Sequence, residues 1–311
     1  IRDDGLSRFG PNNRYGLFPA VSAGWILSDE NFLKNSSFLN FLKLRASWGL
    51  TGNAEIGNSS YFSLYNVSNY PDLPGYIAAQ IPNPDLKWEK TAQTDAGLDF
   101  GFFNNKLSGE FDVYYKKTSD LLLNVNIPST TGYTTVTRNL GNMENKGIEI
   151  GINSTNISSK NFRWTTAVNA AYNKNKVLDI GGQIIEGGFG LTQRAVEGKT
   201  IGEFYGQKFI GVDPATGDAQ FLGEDGKPTT DFDAAARVTL GNSNPDWTGG
   251  LTNTFTYKNV DLSFFFLFVS GNKVYNAAGV YQSDGFYNGF DNQTTDILNA
   301  WKKPGDIKDV P

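Results

Sequence analysis

The fold is decided by a hairpin pattern in the stretch Leu98-Asp-Phe-Gly-Phe-Phe-Asn-Asn-Lys-Leu-Ser-Gly-Glu-Phe-Asp-Val-Tyr115. Apolar and polar residues alternate on both sides of Asn104-Asn105, and asparagine accepts the backbone conformation of a two-residue hairpin turn. The pattern therefore predicts that residue 102 pairs with 107, 100 with 109 and 98 with 111. One face would then be apolar, formed by Ala96, Leu98, Phe100, Phe102, Leu107, Phe111, Val113 and Tyr115. The other face would be polar or glycine, with Asp99, Glu110 and Asp112.

The same pattern recurs elsewhere in the chain. A second hairpin is predicted around Lys258-Asn259, and half-apolar strands are predicted from Leu42 to Leu50, from Ile148 to Ile152 and from Phe162 to Tyr172. Such strands fit a water-soluble sandwich, in which the apolar face is a core. They fit equally a transmembrane barrel, in which that face meets lipid.

Composition excludes several classes of function. The chain has 311 residues, no cysteine and no histidine. Disulfides, thiolate nucleophiles and cysteine zinc sites are thus excluded, together with the commonest general base. The net charge is −5, without a basic run, which gives no support to nucleic-acid binding. We therefore predict a protein that is not an enzyme and has no cofactor.

The connections between the predicted strands favour the barrel. Short ones at 29–38, 104–105, 158–160 and 258–259 alternate with long ones, rich in Gly, Asn, Ser and Pro, at 52–86, 124–145 and 176–246. In a closed antiparallel sheet, successive connections fall on opposite rims, as in outer-membrane barrels with short turns and long external loops. Aromatic residues near strand ends fit the girdles of such a barrel, namely Trp25, Trp48, Trp88, Tyr115, Trp164, Trp247 and Tyr257.

Several motifs together resemble the barrel of SusC/RagA-type TonB-dependent outer-membrane receptors. They are Phe18-Pro-Ala-Val-Ser-Ala-Gly-Trp25, Leu42-Lys-Leu-Arg-Ala-Ser-Trp-Gly-Leu-Thr-Gly-Asn53, Asn83-Pro-Asp-Leu-Lys-Trp-Glu-Lys90, Asn139-Leu-Gly-Asn-Met-Glu-Asn-Lys-Gly-Ile-Glu-Ile150 and Gly241-Asn-Ser-Asn-Pro-Asp-Trp247. The resemblance extends from Arg2 to about Pro311 and implies an all-β, transmembrane antiparallel β-barrel with long extracellular loops. Residues 1–311 would be part of one such barrel domain, taken from a 22-stranded barrel.

The resemblance also implies a function. A receptor of this kind imports a large nutrient, an oligosaccharide or a peptide, across the cell outer membrane. It is energised by the TonB complex and works with a SusD-like surface lipoprotein. We expect the plug domain, the TonB-contacting segment and the closing strands to lie outside this chain.

Two candidate sites lie in the predicted loops. Aromatic side chains in external loops can stack on sugars or peptide side chains, and the candidates are Tyr61, Tyr65, Tyr70, Tyr76, Tyr133, Phe189, Tyr281, Phe286 and Tyr287. They could instead pack loops together or against a lipoprotein. Oxygen ligands at Asp225, Asp231 and Asp233 are spaced somewhat like those of a calcium loop, although Pro228 and missing leading acids depart from that pattern. A solvated turn is the alternative.

Two other interpretations remain open. The predicted register sets Asp99 opposite Glu110, which could be a glycosidase-type acid pair or two groups of a polar barrel lumen, and we favour the lumen. The whole chain could also be a soluble extracellular β-rich module that binds carbohydrate or has a structural role. In that case the apolar faces would be sealed against a second sheet.

Overall fold

The computed structural model describes residues 1–70, 73–283 and 292–311, and nearly all of its regular structure is β. The first part of the chain forms β1 (Arg2–Gly5), β2 (Tyr15–Phe18), β3 (Ala20–Ile26), β4 (Leu39–Asn53), β5 (Leu64–Tyr70), β6 (Leu73–Gln80), β7 (Glu89–Phe102), β8 (Leu107–Ser119), β9 (Leu122–Asn126), β10 (Thr135–Asn139), β11 (Asn142–Ser158) and β12 (Phe162–Asp179).

Shorter strands follow before the final long hairpin. They are β13 (Ile185–Gly187), β14 (Gln193–Ala195), β15 (Glu203–Gln207), β16 (Phe209–Val212), β17 (Ala219–Leu222), β18 (Pro228–Thr229), β19 (Arg237–Asn242), β20 (Trp247–Tyr257) and β21 (Val260–Ser270). Helical segments are short: 3-10 turns at Leu27–Asp29, Ser129–Thr131, Phe189–Leu191 and Thr295–Asn299, and one α-helical turn, α1, at Gly279–Gln282. No helix within the described ranges has the length and apolar character to cross a membrane.

The chain divides into two compact units. The first comprises Ile1–Gln183, Val196–Lys199 and Asp246–Ser270, and it contains an eight-stranded sheet in the order β21-β20-β12-β11-β8-β7-β4-β3. Every neighbouring pair in that sheet is antiparallel. Strands β21 and β3 are its two edges, so the sheet is open.

The register of the deciding hairpin is confirmed. Phe102 pairs with Leu107, Phe100 with Gly109 and Leu98 with Phe111. Asn104 and Asn105 both have positive φ, at 57° and 59°, as a type I′ turn requires. The second hairpin is confirmed as well, since Tyr257 pairs with Val260 around Lys258-Asn259.

The alternation of short and long connections is also confirmed. Residues 27–38, 103–106, 159–161 and 258–259 join sheet strands at one end, while residues 54–88, 120–141 and 180–246 join them at the other. The long strands β11 and β12 extend further than predicted, so residues 142–145 and 176–179 belong to the sheet and not to the loops. The long connections contain short strands of their own, which the sequence did not predict.

Side chains on the apolar face of the sheet are exposed within the part of the chain that the structure describes. Phe111 and Val113 are each 38% exposed and Phe264 is 47% exposed, whereas the core of a sandwich would bury such side chains. Phe100 and Phe255 are half-buried by their neighbours in the sheet. The interpretation as a soluble sandwich is therefore wrong for these strands.

The predicted aromatic girdle needs one correction. Trp25, Trp48 and Trp247 are exposed, as a lipid-facing position requires, but Trp88 is only 7% exposed. Its ring packs against Phe9 and Phe18 at centroid distances of 5.3 and 5.4 Å, and its indole N–H donates to the Arg14 carbonyl at 3.0 Å. Trp88 therefore belongs to a small loop core with Tyr61 and Leu86 and does not contact lipid.

Asn139 ties three segments together at the long-loop end of the sheet. Its side-chain amide donates to the Lys87 carbonyl at 2.7 Å and to the Asp120 carbonyl at 2.9 Å, and its side-chain oxygen accepts from the Lys87 N–H at 2.9 Å. Lys87 and Asp120 also form an ion pair at 3.0 Å. The asparagine-rich motifs at 83–90 and 139–150 thus have a structural role in this region.

The second unit comprises Ile184–Ala195, Thr200–Pro245 and Gly271–Pro311. It contains a four-stranded sheet in the order β13-β14-β15-β19 and a three-stranded sheet in the order β16-β17-β18. Near its end, the Trp301 indole N–H donates to the Pro214 carbonyl at 3.1 Å. This unit contains most of the longest connection of the large sheet.

Candidate functional site

The polar face of the large sheet carries a cluster of charged side chains. The predicted register gave one pair of this cluster, Asp99 and Glu110. Asp99 lies directly opposite Glu110. Arg45 of β4 donates to Asp99 at 2.8 Å and to Asp112 at 2.9 Å, so one guanidinium is shared by two carboxylates. The guanidinium offsets the charge of two carboxylates, and this arrangement suits a stabilised polar wall.

The predicted ligand aromatics in the first unit fall into two groups. Tyr65 and Tyr76 lie on the β5–β6 hairpin and are 63% and 78% exposed. Tyr65 pairs with Ala78 and Val67 with Tyr76, so both rings project from the same face of the hairpin. Tyr61, in contrast, is buried in the loop core beside Trp88, and Tyr133 is half-buried after the 3-10 turn at Ser129–Thr131.

The remaining predicted aromatics are scattered. Phe189 packs against Tyr275 at a centroid distance of 5.6 Å, and Tyr281 lies exposed in α1. Tyr70 ends β5, and Phe286 and Tyr287 lie outside the described residues. Whether any of these side chains binds a ligand stays a prediction.

The acidic loop at 225–233 is built from local turns. The Asp225 carboxylate accepts from the Lys227 N–H at 3.0 Å, and the Asp231 carboxylate accepts from the Asp233 N–H at 3.0 Å. Across the described ranges, no three Asp, Glu, His or Cys side chains are grouped as a metal site requires. Calcium binding by Asp225, Asp231 and Asp233 stays a prediction.

The pKa of one loop carboxylate, that of Glu197, is shifted from its ordinary value. Glu197 accepts from the backbone N–H groups of Ile180 at 3.0 Å and Gly182 at 2.8 Å. These two donors, the Ile180 N–H foremost, stabilise the ionised form and lower the pKa of Glu197 below its ordinary value. The ionised carboxylate of Glu197 therefore stabilises the turn that follows β12.

The second unit contains a cleft that sequence reasoning missed. Its volume is about 610 Å³, and its lining is predominantly apolar. The lining residues are Thr192, Phe204, Tyr205, Gly206, Gln207, Phe232, Leu240, Lys273, Val274, Tyr275 and Asn276. They come from five separate stretches of chain, so no local motif marks them. Of the predicted ligand aromatics, Phe189 touches a lining residue through its contact with Tyr275.

A buried charged network supports one wall of the cleft. Glu203, which immediately precedes Phe204, accepts from Arg194 at 3.0 Å and from the Thr239 hydroxyl at 2.7 Å. The Arg194 guanidinium also lies 3.3 Å from the centroid of the Tyr205 ring. These contacts join β14, β15 and β19 at one wall of the cleft.

Comparison with known proteins identifies the class to which this architecture belongs. Residues 2–305 match the family described as "TonB dependent receptor-like, beta-barrel". TonB-dependent receptor P39 of Formosa agariphila is 34% identical over 367 residues, covering 100% of this chain and 34% of that protein. TonB-dependent receptor SusC of Bacteroides thetaiotaomicron is 36% identical, covering 93% of this chain and 31% of that protein.

Solved structures give the same result. The RagAB peptide importer in its "closed-closed" state superposes with a TM-score of 0.89 at 30% identity, covering 99% of this chain and 35% of that chain. The "open-open" state of the same importer gives a TM-score of 0.84 at 29% identity. The chain spans about a third of the length of these relatives. The open eight-stranded sheet is thus part of an antiparallel β-barrel, and the chain belongs to the TonB-dependent receptor family.

Proposed function

We propose that this chain is part of the barrel of an outer-membrane receptor that imports a large nutrient. The observation that carries the proposal is the sheet itself, apolar and exposed on one face and charged on the other. A lipid-facing wall with a polar interior has this asymmetry. All long connections leave the same end of the sheet, where ligand capture from outside the cell would take place.

The supply of energy follows from family membership. Relatives over the whole of this chain are TonB-dependent receptors, so we infer that the TonB complex drives import. The ion pairs and hydrogen-bonded strands of the barrel wall stabilise that wall. Import through the barrel needs no bond-making chemistry from them. We therefore propose a transport receptor that is not an enzyme.

The nutrient and the partner are inferred from the relatives. SusC and RagAB are both similar to this chain, and the RagAB structures are those of a peptide importer. We propose that the nutrient is an oligosaccharide or a peptide and that a SusD-like surface lipoprotein assists its capture. The exposed β5–β6 hairpin, with Tyr65 and Tyr76, supports a role for the loops in such contacts.

Uptake by whole cells tests the proposal. The gene of the full receptor is deleted, and entry of fluorescent oligosaccharide and peptide mixtures is compared with that in the parent, in a strain complemented with the full receptor and in one lacking active TonB. We expect loss of uptake of one mixture after deletion, recovery on complementation and the same loss without TonB. Unchanged uptake of every mixture after deletion would contradict the proposed function.

A further inference from the structure

We propose that the cleft of the second unit binds a peptide, with an apolar or aromatic side chain inside it and a carboxylate on Lys273. The inference rests on the proposed import function and names the substrate class and the residues that select it. The cleft residues used in the argument are Phe204, Phe232, Leu240, Lys273 and Tyr275.

The cleft combines apolar and hydrogen-bonding surface, a combination that suits a peptide. Phe232 and Leu240 are exposed while Phe204 is buried behind them, which leaves apolar surface facing solvent at the opening. Phe232 is held by an edge-on contact with Phe221 at 5.1 Å. The lining also includes hydrogen-bonding side chains such as Gln207 and Asn276, which can pair with the backbone amides of a peptide. An apolar side chain gains free energy from the apolar surface.

Lys273 supplies the charge complementarity. It is exposed and makes no ion pair within the part of the chain that the structure describes, and no described residue of the lining carries a carboxylate. An ammonium group beside an apolar wall therefore attracts a ligand carboxylate, which in a peptide is its chain terminus. The Tyr275 ring, backed by Phe189, offers a flat surface near it.

The position of Lys273 is fixed by Gly241. The Lys273 N–H donates to the Asn242 carbonyl at 2.7 Å, and the Lys273 stem crosses Gly241 so closely that a Cβ there would lie 2.7 Å from Cγ. Gly241 also has a φ of 126°, which side chains disfavour. The chain thus leaves room for the lysine stem at this point.

Affinity selection on the purified full receptor tests the inference. The probes are a hexapeptide mixture randomised at its last two positions with a free carboxyl terminus, the same mixture amidated, and a neutral mixture of glucose oligosaccharides. We expect retention of carboxylate peptides enriched in aromatic and aliphatic residues. Lys273→Met should reduce their retention about tenfold, as loss of a charge-assisted hydrogen bond would. Tyr275→Ala should reduce it to a similar extent.

Matched controls separate the cleft from the rest of the unit. Lys227→Met removes an exposed lysine and Leu298→Ala an exposed apolar side chain, neither of which lines the cleft, and both should retain peptides as the parent does. Equal retention by the parent and Lys273→Met, equal retention of amidated peptides, or retention of the glycans alone would overturn the inference. Continued TonB-dependent uptake in Lys273→Met with those results would leave the proposed import function intact.

Discussion

At the scale of single residues, the chain concentrates its strongest polar interactions where one side chain serves several partners. Arg45 on β4 binds Asp99 on β7 and Asp112 on β8, and these three strands are adjacent in the large sheet. Glu197 holds two backbone amides of one turn. Removing such a group leaves more than one partner unsatisfied, so its effect exceeds that of an ordinary surface substitution.

Replacing Arg45 tests the shared ion pair. Arg45→Met leaves two carboxylates without their cation. We therefore expect the unfolding temperature of the detergent-solubilised full receptor to fall, because its free energy of unfolding drops by about 2 kcal/mol. Arg163→Met is the matched control, because Arg163 is exposed on β12 and forms no ion pair with the described residues. Equal unfolding temperatures for Arg45→Met and the control would contradict this role.

The lowered pKa of Glu197 predicts a pH-dependent turn. Because its folded pKa lies below the ordinary value, the stabilisation is present above about pH 4.3 and is lost as pH falls through the lowered pKa. The stability of the turn is measured by hydrogen exchange, as the protection factors of the Ile180 and Gly182 amides at each pH. We expect protection to drop on acidification in the parent. Glu197→Gln, which keeps an oxygen acceptor but cannot titrate, should show no such drop, and an equal drop in both proteins would refute the assignment.

At the scale of elements, strands and loops follow different rules in this chain. The period of two along β7 and β8 was sufficient to predict their register, since a slip by one residue would expose polar groups to lipid. The loops lack this period, and their short strands pair in small separate sheets. Side-chain contacts between distant segments add to that pairing. Trp88 shows the difference, because its burial depends on Phe9 and Phe18, which no local pattern connects to it.

Asn139 provides the sharpest test at this scale. Asn139→Ala removes one acceptor and two donors that join β10 to Lys87 and Asp120, and we expect faster proteolysis within residues 120–141 of the full receptor. Asn124→Ala is the control, since Asn124 lies in the neighbouring strand and accepts one exposed hydrogen bond from Thr137. If both variants are cleaved at the parental rate, Asn139 is not the residue that joins these segments.

At the scale of the whole molecule, the sequence predicted the large sheet but not the cleft of the second unit. The alternation of apolar and polar residues and of short and long connections determines the strand order, because neighbouring hairpins must pair in sequence. The cleft depends on residues from Thr192 to Asn276, brought together by β15, β19 and the chain after β21. Their spacing carries no period, so only the folded chain reveals that Lys273 lines the same cleft as Phe232 and Tyr275.

The central claim is that the apolar face of the large sheet touches lipid, and spin labelling of the full receptor in bilayers measures this directly. The chain contains no cysteine, so single labels can be placed at Val113 on the apolar face and Asp112 on the polar face. We predict that the label at 113 is accessible to oxygen dissolved in lipid and shielded from a water-soluble nickel reagent, whereas the label at 112 is shielded from oxygen. A label at 113 inaccessible to both reagents, as in a protein core, would contradict the account.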